Sequence, residues 1–396
     1  MIKRVFYACG GPANVVSAHE AWLAKEHESS EVSITFSSQV ADYCEEIGAS
    51  AYFVSPHAKT QRVQMGEYTL EHRPKKGGSG VGYHLNEIGY ALGLLKTARA
   101  FKADIAFMDT GSMPIFTMFL FRLFGIPVVP ILHNVLWPAH FPPTSFGRKL
   151  ALWVDGLFWR YGASGAIGVS PECEKQVRAV APGLRYPVIQ IRAQFRPEYF
   201  AQIAPPPPHA KRPFRVMFIG RVTHSKGVFD ILEMARSVET TDPGLVRWTI
   251  CGTGDAFDAL TAQRDAMGLQ DIVDLPGWIS LERLLDIYAQ SHAAIVPTRS
   301  SFQEALAMTA AEAILAGRPV ILNPVVPAID LIGPACLAGK TNDAESHAEQ
   351  VRLLARDGAL YDRMQKACAS LGAPFVDRQQ GLTAGLREMV RRLGLD

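Results

Sequence analysis

Phe214-Arg215-Val216-Met217-Phe218-Ile219 runs straight into Gly220-Arg221-Val222-Thr223-His224-Ser225-Lys226-Gly227. The reading of this stretch decides the fold. A short run of β-branched and aromatic residues reads as a strand, the glycine ends it, and the residues after Gly227 take up a helical period. The same alternation recurs downstream, with strands expected over Arg247 to Cys251, Ile272 to Leu275, Ala294 to Pro297 and Pro319 to Leu322. Upstream it recurs over Arg4 to Ala8, Val32 to Phe36, Ile105 to Met108, Val128 to Leu132 and Ala166 to Val169, with helices over Asn14 to His27 and Leu85 to Phe101 between them. Strand and helix in strict alternation predict an α/β fold on parallel sheets.

At 396 residues the chain has room for two or three domains. Between its two α/β halves lies Ala204-Pro205-Pro206-Pro207-Pro208-His209, whose prolines suit an extended connector. The expected division is 1–203, a proline-rich linker 204–213, 214–376, and a terminal amphipathic helix 377–396 carrying Leu382, Leu386, Met389, Val390 and Leu393 on one stripe. Two Rossmann-like domains would then face each other across a cleft, with ligands at the carboxyl ends of the strands.

Lys and Arg number 40 and Asp and Glu 38, a net charge of +2, so no global field directs the chain to nucleic acid. The six cysteines are scattered without metal or redox spacing and read as reduced thiols. The first residues lack the apolar core of a secretory leader, and the apolar tract from Met113 to Leu132 is broken by Arg122 and Gly125-Ile126-Pro127. A cytoplasmic location is expected.

Two segments carry chemistry. The loop with Gly220, Arg221 and Lys226 places a guanidinium and an ammonium after a strand, which suits a diphosphate and equally suits an ordinary loop. The second, Pro297 to Ala313, puts seven residues between Glu304 and Glu312 across a strand-end loop and a helix start that favours anions. Thr309 with Glu312 also fits a capping box. The basic tract His72 to Gly80 reads as a surface loop. From Trp137 to Tyr161, the aromatics and cations Phe141, Phe146, Arg148, Lys149, Trp153, Phe158, Trp159 and Arg160 fall in a helix-period segment. Buried core is the commoner outcome for such a stripe, and an interfacial face on a membrane is the alternative.

From Phe214 to about Ile321 these residues resemble the GT-B glycosyltransferases of the retaining family-4 type, glycosyl transferases group 1. The resemblance is carried by Gly220-Arg221 with Lys226-Gly227, Trp248-Thr249-Ile250-Cys251-Gly252-Thr253-Gly254, Val273-Asp274-Leu275-Pro276-Gly277-Trp278, the span Leu285 to Glu312, and Ala316-Gly317-Arg318-Pro319-Val320-Ile321. It implies transfer of a sugar from a nucleoside-diphosphate sugar to a saccharide or lipid-linked hydroxyl, with retention, in cell-surface polysaccharide or glycolipid assembly. It further implies Arg221 and Lys226 on the diphosphate, Glu304 on the sugar hydroxyls, Glu312 on the ribose and Gly277-Trp278-Ile279 at the base. In the first half, Gly10 and Gly11 match the acceptor-side loop and His133 the histidine beside the donor sugar. Ala305-Leu306-Ala307 stand where the family carries glycine-containing residues, which narrows the room for the donor. No metal and no cofactor is expected, and no Asp-x-Asp occurs. A contact with the inner membrane face accompanies a lipid-linked acceptor. The helix 377–396 is expected to cross back onto the first domain. The alternatives are a sugar-nucleotide epimerase of the same fold and a silent sugar-nucleotide binder; a nicotinamide dehydrogenase lacks its G-x-G-x-x-G.

Overall fold

The computed structural model describes residues 2–26 and 32–396 and divides them into two compact units. The first unit comprises the described residues of Met1–Leu136 with Pro143–Gln194 and Asp377–Asp396. The second comprises Phe195–Val376 with Trp137–Pro142.

Eight strands form the sheet of the first unit: β1 (Arg4–Ala8), β2 (Ser50–Ser55), β3 (Gln61–Met65), β4 (Tyr68–His72), β5 (Ile105–Asp109), β6 (Val128–Leu132), β7 (Ala166–Gly168) and β8 (Val188–Gln190). Their order is β3-β4-β2-β1-β5-β6-β7-β8, all parallel except β3, which runs antiparallel to β4. The central strands β5 and β6 are buried along their whole length, as helices on both faces of a parallel sheet require.

Val32 to Phe36 is not a strand. Thr35 turns its hydroxyl onto the Ser38 amide at 3.2 Å and caps a helix, Phe36–Glu46, so the apparent alternation of Val32 and Ile34 reflects two buried anchors before a helix start. The helix expected over Asn14 to His27 spans Val15–Leu23, capped by Asn14, and His27 lies outside the described residues. The terminal helix, Leu382–Arg392, buries Leu382, Leu386, Met389 and Val390 and packs on Phe36–Glu46. Leu382 N donates to Gln39 Oε1 (2.7 Å), Thr383 Oγ1 to Gln39 O (2.9 Å), and Arg387 pairs with Glu46 (2.7 Å). The end of the chain thus returns to the first unit.

The second unit holds β9 (Phe214–Ile219), β10 (Val246–Cys251), β11 (Val273–Gly277), β12 (Ala293–Ile295), β13 (Val320–Leu322) and β14 (Cys336–Ala338), all parallel in the order β11-β10-β9-β12-β13-β14. Renumbered within the unit this is 3-2-1-4-5-6, the nucleotide-binding order, with its switch point between β9 and β12. Val216, Phe218, Trp248, Ile250 and Ile295 from the strands meet Ile231, Leu232, Val351 and Leu354 from helices Val228–Thr241 and Ala344–Arg356 in one core.

The proline run does not behave as a free connector. Buried Arg318 donates to Ala204 O (2.8 Å), Tyr361 Oη to Pro207 O (3.1 Å) and Arg212 to Ala355 O (3.0 Å), which fastens 204–212 to the second unit. Prolines bring no N–H to a ladder, so this run forms no strand, and side-chain donors satisfy its carbonyls at Ala204 and Pro207 instead. Burial pulls the Arg318 guanidinium down to about 10. The six cysteines are free thiols.

Candidate functional site

In the second unit the loops after β9 and β12 meet at the switch point. Gly227 makes this possible: its φ is 75°, and a Cβ there would lie 2.2 Å from Pro297 O. Arg299 clamps the same junction, its amide donating to Ser225 O (2.9 Å) and its guanidinium pairing with Asp230 (2.9 Å). Burial raises the Asp230 carboxyl, opposed by Arg299.

Lys226 Nζ lies 2.5 Å from Glu304 Oε2 and 4.2 Å from the centre of the Phe302 ring. The guanidinium carbon of Arg221 stands 5.7 Å from the same ring. Thr298, fully buried, donates to Glu304 Oε2 at 3.4 Å. Arg221, Lys226 and Glu304 are therefore brought together around one aromatic face. Lys226 has its charge compensated by Glu304, whereas exposed Arg221 has no ion-pair partner among the described residues. Gly220 joins Arg221 to the end of β9.

Glu312 belongs to a second cluster. It sits in helix Met308–Leu315 and accepts from Tyr288 Oη at 3.1 Å, and burial followed by Glu312 raises the Tyr288 phenol well above its usual range. The capping box does not form: Ala307 is the N-cap, and Thr309 Oγ1 donates to Ile219 O (2.8 Å), tying the helix start to the end of β9. Ala305, Leu306 and Ala307 are buried, and Ala307 adopts φ 69°, a left-handed conformation that costs a residue with a Cβ about 1–2 kcal/mol. Gly277 ends β11 and Trp278 and Ile279 follow it, with Trp278 74% exposed.

The first unit has its own cluster at the ends of β1, β5 and β6. Asp109 is its hub. Its Oδ2 accepts from Tyr7 Oη (2.8 Å) and Gly10 N (3.1 Å), while Oδ1 lies 2.8 Å from His133 Nε2, close enough for an ion pair but out of line for a hydrogen bond. Thr110 Oγ1 accepts from the amides of His133 (3.1 Å) and Asn134 (3.3 Å), and the imidazole packs 4.1 Å from the Phe36 ring. A Cβ on Gly10 would lie 2.3 Å from Thr110 O, so the turn after β1 needs glycine to pass β5, while Gly11 faces open space. Burial, then Asp109, raises the Tyr7 phenol.

Asp109 was not among the residues singled out from the sequence. The signal was an acid ending the otherwise apolar run Ile105-Ala106-Phe107-Met108, since a buried carboxylate needs donors and so announces them. Lys75 of the basic tract is not loose: it pairs with buried Glu87 (2.8 Å) and donates to Gly111 O (3.3 Å) just beyond β5. The stripe from Trp137 to Tyr161 corrects the core expectation in part. Phe158 and Trp159 are buried, but Phe141, Phe146 and Trp153 are exposed. Among the described residues no three His, Cys, Asp or Glu side chains group as metal ligands, and no helix is long and apolar enough to cross a membrane.

Residues 200–370 match the family described as glycosyl transferases group 1. An α-D-kanosaminyltransferase of Streptomyces kanamyceticus is 24% identical over 286 residues, 67% of this chain and 70% of that protein. The chain spans between 29% and 70% of the length of the curated relatives it matches. Among solved structures, a sucrose-phosphate synthase from Thermosynechococcus elongatus superposes with a TM-score of 0.74 at 14% identity, covering 99% of both chains. The Anabaena protein HepE in complex with UDP and glucose gives 0.67 at 15%, covering 99% of this chain and all of that one. These likenesses show the GT-B fold.

Proposed function

We propose that the protein moves a sugar from a nucleoside-diphosphate sugar to a saccharide or lipid-linked hydroxyl, a reading supported by the match of residues 200–370 to glycosyl transferases group 1 and by the GT-B fold. The observation that carries this reading is the gathering of Arg221, Lys226 and Glu304 around Phe302 at the switch point of a nucleotide-ordered sheet. UDP and glucose bound to the Anabaena relative support a uridine donor.

The bond between the anomeric carbon and the β-phosphate oxygen breaks as the acceptor oxygen bonds to that carbon. Negative charge grows on the diphosphate. Arg221, the uncompensated cation, receives it, and Lys226 is held in place by Glu304 until phosphate oxygens replace the carboxylate as its partner. Glu304, once released, accepts from donor sugar hydroxyls, and Glu312 accepts from the ribose. Trp278 offers an exposed ring at the base end. In the first unit, Asp109 stands 2.8 Å from His133 Nε2 beside the Gly10-Gly11 turn, and these are the residues that unit would bring to the reaction. The acceptor enters from the leaving-group side, its proton passes to the departing phosphate, and the anomeric configuration is retained, with no metal required. The product belongs to cell-surface polysaccharide or glycolipid.

The test is incubation with a panel of sugar nucleotides and saccharide or lipid-linked acceptors, followed by NMR of any product. A retained glycosidic linkage is expected. An epimerised donor without acceptor, or donor binding with no turnover, would overturn the assignment.

A further inference from the structure

Helix Phe146–Leu157 of the first unit has no part in the proposed chemistry, and its outer face is apolar. Phe146, Leu150, Trp153 and Leu157 follow one another at spacings of four, three and four, which puts them on a single stripe. All four are exposed, Phe146 at 81% and Trp153 at 63%, and Tyr161 in the next turn continues the surface. The helix cannot roll to hide them. Its inner face is fixed by Gly156, where a Cβ would lie 2.6 Å from Val180 O, and by Asp155, which accepts from Phe116 N at 3.1 Å. Exposed apolar groups in one contiguous stripe, rather than scattered singly, mark a surface that docks on something.

Charge decides what that is. From Thr110 to Pro171 the chain carries four Lys or Arg residues, Arg122, Arg148, Lys149 and Arg160, against the single acid Asp155, which is turned inward. Arg148, Lys149 and Arg160 are exposed, and among the described residues none has an ion-pair partner. Unpaired cations beside a stripe of Phe, Leu, Trp and Tyr match a layer that is anionic at its surface and apolar just beneath it. We propose that this face docks on an anionic phospholipid bilayer, with helix Phe146–Leu157 lying in the plane of the headgroups, Phe146, Leu150 and Trp153 inserted below them, and Arg148 and Lys149 on the phosphates. The docking uses no residue placed at the sugar-transfer sites and holds or fails independently of that reading.

The experiment is flotation of the full-length protein with phosphatidylcholine vesicles containing about one third phosphatidylglycerol, at low and high salt. The protein should float at low salt, stay behind at about 0.5 M salt, and stay behind with phosphatidylcholine alone. Arg148→Gln with Lys149→Gln should lower the partition coefficient about thirtyfold. Phe146→Ser with Trp153→Ser should lower it at least about tenfold while leaving the thermal melt unchanged, since neither ring is buried. Brominated lipid should quench tryptophan emission, and Trp153→Phe should float normally yet lose most of that quenching. Failure of the parent protein to float at low salt would overturn the proposal, as would flotation indifferent to the Phe146 and Trp153 substitutions. A dimer dispersed by Trp153→Ser, without vesicle binding, would assign the face to a second copy and overturn it equally.

Discussion

In the first unit Asp109 lies 2.8 Å from the His133 imidazole; in the second, Glu304 lies 2.5 Å from the Lys226 ammonium. Both pairs stand where central parallel strands end, yet their surroundings differ. Asp109 is already engaged by the Tyr7 hydroxyl and the Gly10 amide, so it is a fixed post beside the His133 imidazole. Glu304 and Lys226 satisfy mainly each other, beside an aromatic ring and an unpaired guanidinium. Such a pair can open when a ligand supplies a replacement for the carboxylate. One unit holds geometry, and the other holds exchangeable charge.

The sharpest way to break that contrast is to remove the exchangeable charge. Arg221→Ala should cut sugar transfer by about 10²-fold or more while leaving the melting temperature nearly unchanged, because Arg221 is exposed and, among the described residues, pairs with no carboxylate. Steady-state kinetics beside a thermal melt measures both. In the first unit Asp109→Asn should cost less turnover, about tenfold, and lower the thermal stability as well, since Tyr7 and Gly10 lose a charged acceptor. If both variants lose activity and stability in the same proportion, the division of labour is wrong.

Much of this was legible in the sequence, and for identifiable reasons. Strands β1, β6 and β9 are largely apolar runs, with a single arginine in each of β1 and β9, and they fall where the periodicity puts them. The hairpin β3–β4 was missed although Gly66-Glu67 sits between two alternating runs, because β3 lies at a sheet edge and carries too few apolar residues to stand out. Motif spacing identified Arg221, Lys226 and Glu304, but spacing cannot say that Lys226 and Glu304 neutralise each other. That depends on Gly227 letting Pro297 approach, a contact between residues seventy apart in the chain. Asp109 escaped because its partners lie far from it in the sequence, Tyr7 and Gly10 at the end of β1 and His133 at the end of β6.

Two smaller effects sharpen the comparison. Burial lowers His19 in the first unit and His292 in the second to about 4. A buried neutral imidazole stabilises fully above its unfolded value near 6.5, and that contribution drains away as the pH falls toward 4. Both units should therefore lose stability together between about pH 6.5 and 4, which calorimetry across that range reports; one unit alone softening would contradict it. Smallest is Ala307→Gly, which removes the Cβ from a left-handed backbone and should raise the melting temperature slightly, about 0.5 kcal/mol after the greater freedom of glycine in the unfolded chain is deducted. A lower melting temperature would mean that the Ala307 methyl packs more than it strains.

The account turns on whether the Phe302 cluster receives a diphosphate. Isothermal titration of UDP against uridine, with GDP against guanosine alongside, measures this directly. The expected result is that a diphosphate binds at least about tenfold more tightly than its nucleoside, and that Arg221→Ala erases most of the difference. Equal affinity for nucleoside and nucleoside diphosphate, or a preference untouched by Arg221→Ala, would contradict it.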